Sequence, residues 1–354
     1  MAGRLNGQLV SCGITLLLVG TVFAADPATV AGRIPADDLP QGLSTRELPA
    51  GLGKPPVSRD NPLSAAKVKL GRRLFFDPLL SGNRTLACAS CHDPRRGFAD
   101  PRPVSTGVND TRGKRNAPSL FNVAYGKRFF WDGRAVSLED QVRFPIENPA
   151  ELGNKLPVVV TRLKQAPDYV SQFQDAFGEG VTGRNVARAI ASFERTLLLG
   201  NSAVDRFRGG KATSLSDDQR QGLWLFESRG RCWRCHSGKN FSDEGFHNTG
   251  VGSELAMPDP GRQGISRRPA DRGAFKTPTL RGVSRTAPYM HDGSIKTLRQ
   301  VVEFYNKGGR RNENLDPLMQ PLKLSDRELG FLVEFLKALD GDWPGGAPAG
   351  KKSQ

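Results

Sequence analysis

The chain has 354 residues and a formal net charge of +15, a length that suits two domains and excludes one small core. Its basic residues are scattered in groups such as "GRRLFF", "DPRRGF" and "GISRRPADRG" with no aromatic-interleaved basic strip. That argues against a nucleic-acid partner and fits either simple solubility or an acidic protein partner.

The N-terminus carries Arg4, an apolar run from Gly13 to Phe23, and the small residues Ala24 and Ala25 before Asp26. This is the pattern of a cleaved export signal over residues 1–24. The run is too short to span a bilayer and no later stretch is longer, so an exported protein with no membrane anchor is expected. Cys12 precedes the run and leaves with the signal. Residues 25–60 read as an extended segment.

Helical periodicity begins in "AAKVKLGRRLFF" and returns in "LPVVVTRLKQA", "GRNVARAIASFERTLL", "SDDQRQGLWLFES", "TLRQVVEFYNKGG" and "SDRELGFLVEFLKAL". Ser216 or Asp217 and Ser325 supply caps, and Gly and Pro punctuate the segments between. The expected fold is mainly α with long loops, ending in a disordered tail over residues 343–354. In "TLRQVVEFYNKGG" the stripe Leu298, Val301, Val302 and Tyr305 reads by itself as core, with a tyrosine hydroxyl at its edge.

Four cysteines remain after Cys12, and in an exported protein they would ordinarily suggest two disulfides. They occur instead as "CASCH" (Cys88, Cys91, His92) and "CWRCH" (Cys232, Cys235, His236), the C-x-x-C-H arrangement of c-type haem attachment. Cysteines three apart reach two vinyl groups of one porphyrin as thioethers, and the next histidine is delivered to the iron. Two copies that consume every mature cysteine imply two covalent haems c rather than a zinc half-site. Of the remaining histidines, His247 in "FHNTG" reads as a loop contact and His291 as a hydrogen-bonded structural residue.

The halves repeat each other. "APSLFNV" (117–123) answers "TPTLRGV" (277–283), and "WDGRAVSLEDQV" (131–142) answers "HDGSIKTLRQVV" (291–302), both at an offset of 160 positions. The haem motifs are offset by 144, leaving 16 extra residues for the Gly/Pro-rich loop 252–273. Two cytochrome c-like haem domains related by an internal repeat are therefore expected, 61–205 and 206–342. The repeat sets Tyr305 opposite Pro145. If that position faces the open side of each haem, one iron meets a phenol oxygen and the other a proline, which has no donor.

These residues resemble the bacterial dihaem cytochrome c peroxidase and MauG family, through "LFFDPLLSGNRTLACASCHDP", "FWDGRA", "SLEDQV", "FHNTGV", "TPTL" and "APYMHDGS". The resemblance implies two c-type haems, a calcium ion, reaction with hydrogen peroxide, and a place in the periplasm. It assigns Trp131 to electron transfer between the haems, Gln141 and Glu151 to the open face of the first haem, and Asn116, Thr286 and Pro288 to calcium. Two departures from typical peroxidases resemble MauG: no histidine lies between His92 and His236, and Tyr305 stands where a methionine ligand is expected.

The expected function is MauG-like: peroxide, or O2 plus electrons, reacts at the open His92 haem, and the oxidising equivalents are shared with the His236/Tyr305 haem and withdrawn from a protein substrate. By resemblance that substrate is a precursor of methylamine dehydrogenase whose tryptophans become tryptophan tryptophylquinone. The alternatives are a peroxidase fed by a small cytochrome or cupredoxin, a non-catalytic dihaem electron carrier, and a paralogue acting on another protein. Trp224 or Trp233 is the expected surface exit, core packing suiting Trp224 better.

Overall fold

A computed structural model describes Met1 and residues 48–343. The export signal, most of the extended segment and the tail beyond Trp343 lie outside the described residues. Ten α-helices are present among the described residues: α1 (Ala65–Phe76), α2 (Leu138–Glu147), α3 (Leu156–Lys164), α4 (Pro167–Phe177), α5 (Gly183–Glu194), α6 (Ala203–Arg208), α7 (Asp217–Glu227), α8 (Gln263–Ser266), α9 (Leu298–Asn306) and α10 (Asp326–Lys337). The only named strands there, β1 (Phe246–His247) and β2 (Phe275–Lys276), pair antiparallel in a two-stranded ribbon. None of these helices is long and apolar enough to cross a membrane.

The helices begin where local chemistry dictates. Ser64, Ser137, Thr182, Ser202, Ser216, Thr297 and Ser325 each accept a hydrogen bond from a backbone N–H three residues on. Such caps contribute about 1 kcal/mol each by satisfying otherwise orphaned donors. α4 joins the helices expected from periodicity; its Tyr169 and Phe173 are buried one turn apart, and Gly178 closes it in the left-handed region at φ 67°. α8 forms inside the Gly/Pro-rich loop and turns out through Arg267 at φ 63°.

Two apolar clusters organise the chain. The first packs α1, α2 and α5 through Leu70, Leu74, Phe75, Val142, Ile146, Ile190 and Phe193. The second packs α7, α9 and α10 through Leu225, Phe226, Val302, Leu332 and Phe335. In each, a glycine lets two helices approach until backbone meets backbone. A Cβ on Gly71 would lie 1.8 Å from the Ala189 carbonyl oxygen of α5, and one on Gly222 would lie 2.0 Å from the Phe331 carbonyl oxygen of α10. Gly71→Ala should therefore cost roughly 1–3 kcal/mol by forcing α1 off α5, read as a lowered midpoint in urea; an unchanged midpoint would show that the helix pair can slide apart freely.

Several contacts join distant parts of the chain. The guanidinium of Arg281 is buried against the Asp205 carboxylate at 2.7 and 2.9 Å and donates to the carbonyls of Lys239 at 2.7 Å and Gly51 at 3.2 Å. The expected boundary after Asp205 falls inside α6, and Val204 of that helix belongs to the second cluster. Trp343, which the sequence assigns to the disordered tail, packs edge-on against Phe98 at 5.0 Å because the first cluster leaves it an apolar place. Trp224 corrects another expectation. It is 58% exposed, because α7 buries Gly222, Leu225 and Phe226, and residue 224 lies on the opposite side of the helix.

Candidate active site

Both C-x-x-C-H motifs adopt the same local structure. Cys88–Ser90 and Cys232–Arg234 form single 3-10 turns that bring the two cysteines of each motif to one side. In each, the backbone N–H of the histidine donates to the carbonyl of the first cysteine, at 3.0 Å for His92 and 2.9 Å for His236. Nδ1 of His92 lies 2.9 Å from the carbonyl of Phe98, and Nδ1 of His236 lies 2.9 Å from that of Phe241. A carbonyl can only accept, so Nδ1 carries the proton and Nε2 is the free lone pair. Burial holds both imidazoles below their ordinary pKa, in the neutral form that ligates iron.

The four cysteines are unpaired, and burial pushes up the thiols of Cys88 and Cys91, and that of Cys232 to about 12. Thiols held neutral in apolar surroundings are poor nucleophiles and poor zinc ligands. Each motif opens on its own cavity. The second cavity, about 330 Å³, is lined by Cys232, Cys235, His236, Trp131, His291 and Tyr305. Its volume and mainly apolar wall fit a bound haem. The first, about 50 Å³, is lined by Cys88, Cys91, His92, Gln141, Pro145 and Glu151. At that site the donor set fits a haem, while the cavity as it stands has room only for a small ligand.

Gln141 and Pro145 stand one turn apart on α2 and so share a face. Pro145 has no N–H to give the carbonyl of Gln141, and α2 ends two residues later at Glu147. The chain then doubles back, with Leu152 N–H on the Pro145 carbonyl at 3.0 Å and Val108 N–H on the Glu151 carbonyl at 2.9 Å, which carries Glu151 over the same cavity. Burial raises the Glu151 carboxyl, against opposing pulls from the Asn148 amide at 2.7 Å and from Arg134.

Tyr305 occupies on α9 the register that Pro145 occupies on α2, each the eighth residue of its helix. It lines the second cavity with His236, and burial raises its phenol, ahead of smaller effects from Cys235 and Cys232. Trp131 lines the second cavity and not the first; its indole N–H donates to the Asn116 carbonyl at 2.9 Å. Asn116, Thr286 and Pro288 also line the second cavity. The side-chain amide of Asn116 donates to the carbonyls of Arg102 and Pro103, at 3.1 and 3.2 Å, which turns its Oδ1 the other way.

His247 is more than a loop contact. Its ring lies between Asp316 at 2.6 Å and Asp243 at 2.8 Å, beside Cys235. The Cys235 side chain and these two carboxylates push its pKa up to about 10 against burial. His291 stacks on Phe275 with ring centroids 3.5 Å apart and is pushed down to about 4 by burial. Glu194, absent from the residues singled out in the sequence, lines the first cavity. Its signal was available: in α5 it follows the buried Ala187 and Ile190 by seven and four positions, a charge on the core stripe.

A family profile described as di-haem cytochrome c peroxidase matches residues 65–213. The methylamine utilization protein MauG of Methylorubrum extorquens is 37% identical over 334 residues, 92% of this chain and 93% of that protein. The chain belongs to the dihaem cytochrome c peroxidase and MauG family. It is a haem-dependent oxidoreductase. Within the family the cytochrome-c peroxidase IdrP2 of Denitromonas iodatirespirans is also 37% identical, over 79% of this chain and 83% of that protein. Among solved structures, a MauG-like protein associated with microbial copper homeostasis superposes with a TM-score of 0.79 at 32% identity, covering 85% of this chain and 97% of that one.

Proposed function

We propose that this chain is a periplasmic MauG-like enzyme that uses hydrogen peroxide to oxidise side chains of another protein, with two covalent haems c in two domains related by the internal repeat. The family resemblance makes a precursor of methylamine dehydrogenase the expected substrate and completion of its tryptophan tryptophylquinone the expected product, a reading supported by the likeness to a methylamine utilization protein. When bound, the haems would supply the redox chemistry, held by Cys88, Cys91 and His92 in the first cavity and by Cys232, Cys235, His236 and Tyr305 in the second. The observation that carries this reading is the pairing of Tyr305 with Pro145. The same helical register offers a phenol oxygen to the second cavity and no donor to the first.

The chain's own residues then have distinct tasks. Glu151 accepts a proton from a peroxide oxygen and returns it to the other, which its raised pKa and half-buried position favour. Gln141 offers an amide to orient the small ligand. Trp131, tied by its indole N–H to Asn116 on the wall of the second cavity, would carry charge between the two sites. The free Oδ1 of Asn116, with the carbonyls of Thr286 and Pro288, suits a calcium ion, a hard cation that takes oxygen ligands. Trp233, 45% exposed between Cys232 and Cys235, and the exposed Trp224 both suit charge exit to an acidic partner.

A second reading, a peroxidase fed by a small cytochrome, is favoured by the equally similar IdrP2. Adding peroxide to the fully oxidised holoprotein separates the two. A direct spectral change supports the MauG-like reading; a change that first requires one-electron reduction supports the cytochrome-fed peroxidase. Two low-spin irons that ignore peroxide would overturn both. Tyr305→Phe should remove the phenol from the second iron and shift its low-spin electron paramagnetic resonance signal, and an identical signal would show that Tyr305 is no ligand.

A further inference from the structure

Trp131 stands in a tight turn, closed by the Gly133 N–H on the Phe130 carbonyl at 3.1 Å, and the turn is held from outside by a distant part of the chain. Besides the bond from its indole N–H to Asn116, its carbonyl accepts the backbone N–H of Lys276 in β2 at 2.8 Å. The next two carbonyls, of Asp132 and Gly133, both accept from one terminal nitrogen of Arg262, at 2.9 and 3.1 Å. The Lys276 bond has a counterpart under the internal repeat: Asn116, 160 positions earlier, donates its backbone N–H to the His291 carbonyl at 2.7 Å. Arg262 belongs instead to the Gly/Pro-rich loop to which the sequence offsets assign the second half's 16 extra residues.

Arg262 is itself fixed before it reaches across. Its N–H donates to the Ala274 carbonyl at 2.8 Å, and its own carbonyl accepts the N–H groups of Ile265 and Ser266 in α8, at 3.0 and 2.9 Å. Its guanidinium lies 4.6 Å from the ring centroid of Phe246 in β1. That ring closes the turn from another side, since a Cβ on Gly133, at φ 68°, would fall 2.3 Å from it. The same loop supplies Asp259, which takes two nitrogens of Arg115 at 2.8 Å each while the third reaches the Asp132 carboxylate at 2.6 Å. The backbone and the acid of the residue after Trp131 are both tied to this loop.

We infer that Arg262 is a positioning residue for Trp131: through its two bonds to the turn, the second half's extra loop sets the indole where charge passes between the two haem sites. This rests on the reading of Trp131 as the relay. The indole has two torsions of its own, and the rest of its placement is that of the turn. A group that works only within about 0.5 Å of one position needs such support. Arg262 is on the wall of neither cavity, so removing its guanidinium leaves both sets of haem ligands and the approach of a small ligand to the first site as they were.

The test uses Arg262→Met, which keeps the stem against Phe246 and removes the donor. Pulse radiolysis of the oxidised holoprotein adds one electron, and the absorbance then follows its passage from one haem to the other without peroxide. That passage should slow about tenfold or more, within the ~10²-fold that a 1 Å displacement of a working group costs. Haem content and the resting absorption spectrum should be unchanged. Arg262→Lys, whose ammonium can serve both carbonyls as the single guanidinium nitrogen does, should recover most of the rate. In a Trp131→Phe background Arg262→Met should cost nothing further, the mark of a residue that acts through another. Ultraviolet resonance Raman spectra, with Trp131→Phe as the blank, should show an altered indole N–H marker in Arg262→Met. A wild-type rate in Arg262→Met beside a slow Trp131→Phe would overturn the proposal and leave the relay standing. A wild-type rate in Trp131→Phe would remove the relay and the proposal with it. Further slowing by Arg262→Met in the Trp131→Phe background, or loss of haem from both Arg262→Met and Arg262→Lys, would make Arg262 a general support of the fold and overturn the proposal as well.

Discussion

Glu151→Gln should slow the reaction of the oxidised holoprotein with hydrogen peroxide by about 10²–10⁴-fold, the usual contribution of a positioned acid–base group. Glutamine is nearly isosteric and can still accept from the Asn148 amide, now 2.7 Å from Oε1, so the loop that crosses the cavity should stay in place. What is lost is the ability to take a proton from one oxygen and deliver it to another. The resting haem spectrum should hardly move, because the change lies on the ligand side of the cavity and leaves His92 and its bond to Phe98 untouched. The carboxylate form is the one that accepts the first proton, and its pKa is raised by burial. Acidification should therefore slow the wild-type reaction at a pH above the ordinary carboxyl range, and this limb should vanish in Glu151→Gln. Stopped-flow absorption across pH reads both effects. An unchanged rate in the variant would assign the proton transfer to another group.

The largest stability effect should come from Asp205→Ala, which leaves the buried guanidinium of Arg281 without its counter-ion. The side chains of Arg281 and Asp205 are only 1% and 4% exposed. Removing one partner of such a pair costs about 3–5 kcal/mol, most of it the burden of the charge left behind. Denaturant midpoints of single and double variants measure it, and Asp205→Ala combined with Arg281→Met should recover much of the loss because no charge then remains buried. A single variant as stable as wild type would mean that water reaches Arg281. The pH dependence follows from the sign of the shift. Burial by itself would raise the Asp205 carboxyl, but the hydrogen bonds and charge of Arg281 outweigh it and hold the folded-state pKa below 3.8. The stabilisation is thus fully present above the unfolded carboxylate range and is lost as pH falls through the depressed folded value.

Much of the site was legible because its chemistry is local. The haem-attachment turns are complete within five residues each, and Gln141 with Pro145 follows from one turn of a helix. The register of Pro145 against Tyr305 was legible from the repeat, since each helix opens on a Ser or Thr cap six residues after Trp131 or His291: Ser137 leads α2 and Thr297 leads α9. Other features were not legible, because they depend on which groups meet across long separations. His247 finds Asp316, 69 positions away, and Arg281 finds Asp205, 76 positions away. Trp224 shows the same limit from the other side. Composition favours a buried tryptophan, and only the direction in which α7 packs turned this one to solvent.

By itself, then, the sequence determined where the helices begin, which cysteines and histidines form the two attachment motifs, and which residues share a helical face. Each of those is settled by hydrogen bonds and spacing within a few residues. Only the tertiary structure decided which cavity each residue enters. It set Trp131 on the wall of the second cavity, brought Glu151 back over Pro145, and closed Glu194 into the first cavity without a partner. The physical reason is that burial and the company of other charges are properties of the packed chain. A carboxyl that is an ordinary surface acid in one fold is a buried one with a shifted pKa in another.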